Sequence, residues 1–214
     1  MSNYLVTGAA GFIGHRVAEF LLKRGDRVIG VDNLSDAYDV RLKRYRLGLL
    51  EAYQGFRWLK LDIAEKESLD QIKDLLPEDT AAVINLAAWA GVRKSLKDPW
   101  VYTDTNVTGT LNMLELCRQK KIPKFVLASS SSLYGENTQP PFKETDDTKH
   151  PLQPYAASKI GAEAMSHAYH HLYDIDVTVL RYFTVYGPAG RPDMAMFRFC
   201  QWIAEGEPVV LFGD

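Results

Sequence analysis

Six short runs rich in apolar and β-branched residues alternate along this chain with longer segments whose apolar residues recur three and four apart. The short runs are Tyr4–Val6, Arg27–Val31, Phe56–Leu61, Ala82–Leu86, Phe125–Ala128 and Val177–Leu180, and the helical periods cover Phe12–Arg24, Lys66–Leu76, Trp100–Lys120 and Tyr155–Tyr173. Such alternation predicts βαβ units, and so a doubly wound parallel α/β sheet with helices on both faces. Stop signals agree with the periods, Gly25 following the first helix and Pro77 the second. Residues 135–154 carry four prolines, four acidic residues and no apolar period, so an irregular excursion from the carboxyl edge of the sheet is expected there. In open α/β sheets ligands sit at that edge. Met194–Glu205 reads as a further helix and Val209–Phe212 as a further strand, after which Gly213 and Asp214 close the chain at a turn where more structure is expected.

Charge and composition exclude several classes of function. With 25 Lys and Arg against 27 Asp and Glu, there is no basic field to attract nucleic acid or an anionic membrane surface. No apolar run reaches the roughly 18 residues of a membrane-spanning helix. Cys117 and Cys200 lie far apart and no charged-then-apolar leader opens the chain, so a reducing cytoplasmic setting is expected and a disulfide framework is not. No Cys or His cluster has metal-ligand spacing, and His167, His170 and His171 read as surface or packing residues of their helix, so no metal is expected.

The first strand runs straight into Gly8, Gly11 and Gly14, and a helix follows. Glycines at this spacing remove Cβ atoms where a pyrophosphate must approach, and the helix amino end presents free N–H groups and a positive dipole. The second strand ends at Asp32, next to Asn33, where a carboxylate accepts from both adenosine ribose hydroxyls and repels a 2′-phosphate, which favours NAD over NADP. Arg41, Lys43, Arg44 and Arg46 follow nearby, but their interleaving with Leu42, Tyr45, Leu47 and Leu50 reads as one solvated helix face rather than a 2′-phosphate site. Asp62 and Ile63 end the third strand, suited to accept from the adenine amino group and to cover its ring. Leu86, Ala87 and Ala88 end the fourth, where small residues let backbone lie close to a cofactor.

Tyr155 and Lys159 share a helix face at i and i+4, which holds a phenol beside an ammonium. That cation, with the positive charge of an oxidised nicotinamide, is expected to bring the phenol down from its ordinary value near ~10, so that Tyr155 acts as a base. Ser129, Ser130, Ser131 and Ser132 follow the fifth strand at the same edge, placing a hydroxyl where it can relay a proton between a sugar hydroxyl and Tyr155.

Together the Gly8-x-x-Gly11-x-x-Gly14, Ser130 and Tyr155-x-x-x-Lys159 patterns resemble the extended short-chain dehydrogenase/reductase superfamily, in its sugar-nucleotide epimerase and dehydratase branch, over the whole chain. Finer strings are similar to the 4-epimerases of UDP-glucuronate and UDP-galacturonate: Asp32-Asn33-Leu34 with Tyr38-Asp39, the run from Ala87 to Arg93, Ser129 to Tyr134, Arg181 to Pro188, and Gly190-Arg191-Pro192-Asp193-Met194. The resemblance implies a Rossmann-like NAD-binding domain over 1–214, with the substrate-binding region starting at about 181. It implies catalytic roles for Ser130, Tyr155 and Lys159. Cofactor contacts are implied for Gly8, Gly11, Phe12, Ile13, Gly14, Asp32, Asn33, Asp62, Ile63, Leu86, Ala87, Ala88, Asn106, Tyr155, Lys159 and Tyr182, and sugar contacts for Arg93, Ser130, Ser132, Thr184 and Arg191.

The implied reaction is reversible oxidation at C4 of a UDP-sugar, with Tyr155 taking the 4-hydroxyl proton, rotation of the 4-keto sugar, and return of the hydrogen to its other face. With a uronic acid, the ketone lies β to the carboxylate, and Thr184 with a bidentate Arg191 is expected to hold that carboxylate out of alignment for loss of CO₂. Relatives that dehydrate or decarboxylate carry carboxylates where this chain has Ser131 and Ser132, and hydroxyls cannot replace them as acids. Family members continue for roughly another third of their length, a domain-sized piece that supplies much of the UDP-binding lobe. Exposed apolar surface is expected where that lobe would dock. Two alternative readings stay open: another UDP-hexose 4-epimerase, or a non-catalytic NAD-binding module that needs the absent lobe. A homodimer is expected through the helices at 100–120 and 155–173.

Overall fold

The computed structural model describes residues 1–136 and 141–210. Its six strands are β1 (Asn3–Thr7), β2 (Arg27–Asp32), β3 (Phe56–Lys60), β4 (Thr80–Asn85), β5 (Lys124–Ser130) and β6 (Asp176–Tyr182). All pair in parallel in the order β3-β2-β1-β4-β5-β6. The order reverses between β1 and β4, so the crossovers leave to opposite faces there and open a crevice at the carboxyl ends. The helices are α1 (Phe12–Lys23), α2 (Val40–Glu51), α3 (Ser68–Leu75), α4 (Val92–Ser95), α5 (Trp100–Thr103), α6 (Gly109–Lys120), α7 (Pro154–Tyr173) and α8 (Ala195–Glu205).

Strand alternation sends neighbours to opposite faces, and each face has its own core. Leu5, Val31, Ile72, Val83, Met113, Leu114, Phe125 and Leu127 fill one, beneath α3, α6 and α7. Val6, Val28, Phe56, Ala18, Leu21, Leu22, Leu47 and Leu50 fill the other, beneath α1 and α2. Each fully buried Leu contributes about 1.5–3 kcal/mol on this scale. Local signals set the ends: Gly25, at φ +89°, closes α1 with bonds from Gly25 N to Leu22 O and from Asp26 N to Leu21 O.

Three expectations change. The single helix expected over 100–120 contains a π-helical turn at Asp104–Thr108 between α5 and α6. That extra residue turns Asn106 inward, where the helix meets the end of β4. The four basic residues of α2 do not form one solvated face, because Lys43 and Arg46 are buried and only Arg41 and Arg44 of the four remain outside. Val209 and Val210 lie in no strand, while Leu211 and Phe212 fall outside the described residues. As expected, apolar surface is open late in the chain: α8 buries none of its residues, and Met196, Phe197 and Ile203 are exposed. Among the described residues no helix is long and apolar enough to cross a membrane.

Candidate active site

A cavity of about 700 Å³ follows the carboxyl edge of the sheet across the point where strand order reverses. Its floor is the turn between β1 and α1. Gly8, at φ +67°, lies so close to the segment just after β4 that a Cβ on it would stand 2.8 Å from Ala87 N. A Cβ on Gly14 would stand 2.0 Å from Gly8 O, so α1 meets the turn with no room for a side chain. The resulting cradle of bare backbone at a helix amino end suits a pyrophosphate. A buried polar network that the sequence reading missed fixes it: Thr7 Oγ1 donates to Asn85 Oδ1 at 2.6 Å and accepts from Leu86 N and Ala87 N, each at 3.1 Å. Asn85 in turn donates to Thr110 at 3.1 Å.

At one end of the cavity Asp32 accepts from Ala10 N at 3.1 Å and from Leu34 N at 2.9 Å, so its carboxylate is aimed before any ligand arrives. Asn33 Nδ2 donates to Asp62 at 2.7 Å, which joins the ends of β2 and β3. Phe12, Ile13, Ile63, Leu86, Ala87, Ala88 and Tyr182 also line the cavity. Asn106 does not. Its amide accepts from Trp89 N at 3.0 Å and donates to Trp89 O and Ser158 Oγ, so it supports the segment after β4 from behind.

The other end holds the hydroxyls and the Tyr–Lys pair. β5 delivers Ser130, whose Oγ accepts from Ser132 N at 3.1 Å and starts a 3₁₀ turn at Ser131–Tyr134. Tyr155 sits in the first turn of α7, which opens with Pro154, a residue suited to that position. Burial pushes the Tyr155 phenol up, against the lowering pull of the Ser130 hydroxyl and, more weakly, Arg191. The reduction expected from Lys159 is therefore not realised by the protein alone. Lys159 Nζ donates instead to Ala128 O at 2.8 Å, and burial lowers its pKa to about 8, with Glu163 working in the other direction.

The Lys159 value carries a stability prediction. A lysine held at about 8 rather than its ordinary 10.5 costs the folded state about 3 kcal/mol at about 1.4 kcal/mol per pH unit. The cost is full below pH ~8, where both states are protonated, and is relieved as pH rises toward ~10, because there the unfolded chain holds the extra proton. Without dinucleotide, Lys159→Met is expected to be more stable than wild type at pH 7 by about 1–2 kcal/mol, after allowing for the lost bond to Ala128. That margin should close by pH 10. Urea titrations at the two pH values check it, and a margin independent of pH would refute it.

Arg93, Ser132, Thr184 and Arg191 all line the cavity. The bidentate fork foreseen for a substrate carboxylate is, however, already occupied: Arg191 Nε and Nη2 donate to Asp193 at 3.1 and 2.7 Å. An incoming carboxylate must therefore take Nη1 or displace Asp193. Ser129 lines the cavity with the other serines, but its hydroxyl is engaged, Oγ donating to Glu163 at 2.5 Å. Glu163 also receives Arg181 Nε and Nη2, at 3.0 and 2.8 Å, and so locks α7 to the end of β6. No group of three or more metal-ligating side chains occurs among the described residues.

Comparison with known proteins follows the same lines. The chain is 56% identical over 214 residues to a UDP-glucuronate 4-epimerase of Thermodesulfobacterium geofontis, covering 100% of this chain and 65% of that protein. It is 44% identical over 212 residues to a probable UDP-glucuronate 4-epimerase of Rhizobium meliloti, covering 99% and 62%. Among solved structures, the UDP-glucuronic acid 4-epimerase of Bacillus cereus, in complex with UDP-glucuronic acid and NAD, superposes with a TM-score of 0.90 at 37% identity, covering 99% of this chain and 66% of that one. The chain thus spans a little under two thirds of these relatives' length. Residues 4–214 match the NAD dependent epimerase/dehydratase family, and with a parallel six-stranded sheet, a glycine cradle and a Tyr–Lys pair at its carboxyl edge, the chain belongs to that family.

Proposed function

We propose that the protein binds NAD and interconverts UDP-glucuronate and UDP-galacturonate by epimerisation at C4. The observation that carries the reading is the convergence of Ser130, Tyr155 and Lys159 with the glycine cradle on one cavity. The cradle holds the pyrophosphate, and Asp32 takes the adenosine ribose. Bound there, NAD supplies a reversible acceptor for the hydrogen on C4. Tyr155 receives the proton of the 4-hydroxyl through or beside Ser130, and returns it once the 4-keto sugar has presented its other face. The Lys159 ammonium holds the nicotinamide ribose. Serines at 131 and 132 offer no acid to expel water, which supports epimerisation over dehydration. Incubation with UDP-glucuronate and NAD⁺, followed by chromatography, should yield UDP-galacturonate. Retained NAD without turnover would leave the non-catalytic module instead.

A uronate rather than a neutral hexose is favoured by Arg191, the cavity-lining guanidinium beside Thr184. Arg191→Met should raise KM for UDP-glucuronate by roughly 10- to 100-fold, the loss of one charged hydrogen bond. KM for UDP-glucose, if turned over, should move little. Equal effects on both sugars would argue for a neutral hexose as the natural substrate.

Self-association through α5, α6 and α7 is part of the proposal. Leu114 belongs to the core, and Met165 and Tyr169 pack against it, but Trp100, Leu172 and Tyr173 stay exposed. Sedimentation at high concentration should show a dimer, and a monomer would sink the idea. A cytoplasmic setting accords with Cys117 and Cys200, both free thiols.

A further inference from the structure

Arg46 is a fully buried guanidinium that stands outside the lining of the cavity. Its Nη1 donates to Ala10 O at 3.1 Å and to Tyr38 Oη at 2.6 Å. Its Nε and Nη2 donate to Ala189 O at 3.2 and 2.7 Å, and Nη2 also to Gly190 O at 3.2 Å. Every N–H of the fork is therefore used, which is what lets the charge lie buried.

Three segments distant in sequence meet on this side chain. Ala10 lies in the turn that forms the glycine cradle, Tyr38 shortly precedes α2, and Ala189 and Gly190 directly precede Arg191. Ala189 stands at φ +55°, a left-handed conformation that a residue with a Cβ keeps only where its surroundings impose it. Two bonds from Arg46 to its carbonyl impose it here, together with the turn closed by Gly190 N on Gly187 O at 3.0 Å. The same fork reaches Arg191 from a second side. Arg191 Cζ lies over the Tyr38 ring, 5.8 Å from its centre, and the hydroxyl of that ring accepts from Arg46. Lys43, paired with Asp32 at 3.6 Å, flanks the ring at 5.4 Å. Both the backbone that carries Arg191 and the aromatic surface beneath its guanidinium are thus tied to one buried residue.

We infer that Arg46 is a positioning residue of the sugar site: by clasping residues 187–190 to the dinucleotide turn, it fixes where Arg191 meets the sugar carboxylate. The inference rests on the reading of Arg191 as the partner of that carboxylate. Arg46 acts through Arg191 and touches neither sugar nor cofactor. A lysine in its place keeps the charge, but one ammonium cannot bridge the turn, the loop and the phenol as a planar fork does.

Steady-state kinetics with UDP-glucuronate, and with UDP-glucose as a competitive inhibitor that lacks the carboxylate, test the clasp. Arg46→Lys should keep its NAD and its kcat, and raise KM for UDP-glucuronate by roughly tenfold, the scale of one weakened charged hydrogen bond. The inhibition constant of UDP-glucose should stay where it is. Ala189→Gly reaches the left-handed conformation without strain, so alone it should behave like wild type. Added to Arg46→Lys, it should recover about fivefold of the loss, the left-handed cost of one residue. A general loosening of the fold would weaken both sugars together and would not respond to glycine at 189. Should Arg46→Lys fail to retain NAD, Ala189→Val with Arg46 in place repeats the test, since β-branching opposes a positive φ and the same selective rise in KM is expected. An unchanged KM for UDP-glucuronate, an equal shift for both sugars, or no recovery by Ala189→Gly overturns the clasp. Arg191→Met measured alongside separates the failures: a selective effect there with none from Arg46 leaves the carboxylate reading standing, and an unselective one removes both. A wild type that forms no UDP-galacturonate removes the epimerase reading and this inference with it.

Discussion

In the proposed interconversion of UDP-glucuronate and UDP-galacturonate, Tyr155→Phe is expected to reduce turnover by about 10³-fold while leaving NAD bound, within the range that positioned acid–base groups supply. The substitution removes one oxygen and keeps the ring. That ring packs edge-on against Tyr102 at 6.0 Å between centroids, so the first turn of α7 has no reason to move. Neither the glycine cradle nor Asp32 touches the phenol, so NAD content should be unchanged. What disappears is the oxygen that, in the proposed mechanism, takes the proton of the sugar 4-hydroxyl and gives it back. Ser130 cannot substitute, since a serine hydroxyl has no accessible anionic form near neutrality. Because burial holds the Tyr155 phenol above its ordinary value, wild-type rate should rise with pH as the phenolate fraction grows, until Lys159 starts to lose its charge above pH ~8. Quantifying product by chromatography and NAD by its release on denaturation separates the two effects. Wild-type turnover in Tyr155→Phe would place the base elsewhere, and loss of NAD would show that the phenol has a binding role.

The parts of this fold legible in the sequence were those written in local periodicity. All six strands and the helices α1, α3, α7 and α8 follow from apolar spacing and from stops such as Gly25 and Pro77. Parallel pairing accords with the alternation, because neighbouring parallel strands need a crossover connection and a helix is the usual one. The site was legible where chemistry demands fixed spacing, as with the three glycines and the Tyr155–Lys159 step. Less legible was anything decided by partners distant in sequence. Arg46 looks like the polar side of an amphipathic helix until the loop at Ala189 and Gly190 arrives, 143 residues later, with carbonyls that bury it. Lys43 was misread for the same reason, its partner Asp32 lying on the preceding strand. The π turn at Asp104–Thr108 also escaped, since one added residue leaves the apolar pattern on either side intact and is betrayed only by where Asn106 points. Arg191 shows a different limit: its type was readable, but that Asp193 already fills its fork is a matter of rotamers.

Gly14→Ala, a single methyl, is expected to cost more than any other conservative change in the chain. The new Cβ would lie 2.0 Å from Gly8 O, 2.7 Å from Gly8 C and 3.1 Å from Ala9 Cα. All three are backbone atoms, so no side chain can swing aside. Relief requires α1 to move off the turn, or the turn to open. Opening it strains the bond from Gly11 N to Gly8 O at 2.9 Å, and with it those from Gly8 N and Ala9 N to Val31 O at 2.7 and 3.3 Å. Those bonds anchor the cradle to β2, so pyrophosphate binding and stability fall together. A loss of about 3 kcal/mol, at the upper end for overpacking, and at least a roughly 100-fold weaker hold on NAD are expected. Gly48→Ala is the matched control, because Gly48 sits within α2 and a Cβ there meets nothing within 4 Å. Relieved of the entropy of a helical glycine, that variant should gain about 0.5–1 kcal/mol, or roughly 1–4 °C in Tm for a chain of this size. Thermal melts with and without NAD on both variants decide the matter. If Gly14→Ala melts like wild type and keeps its dinucleotide, the close approach of α1 to Gly8 is not what shapes the cradle, and the exclusion of side chains at this glycine would need another cause.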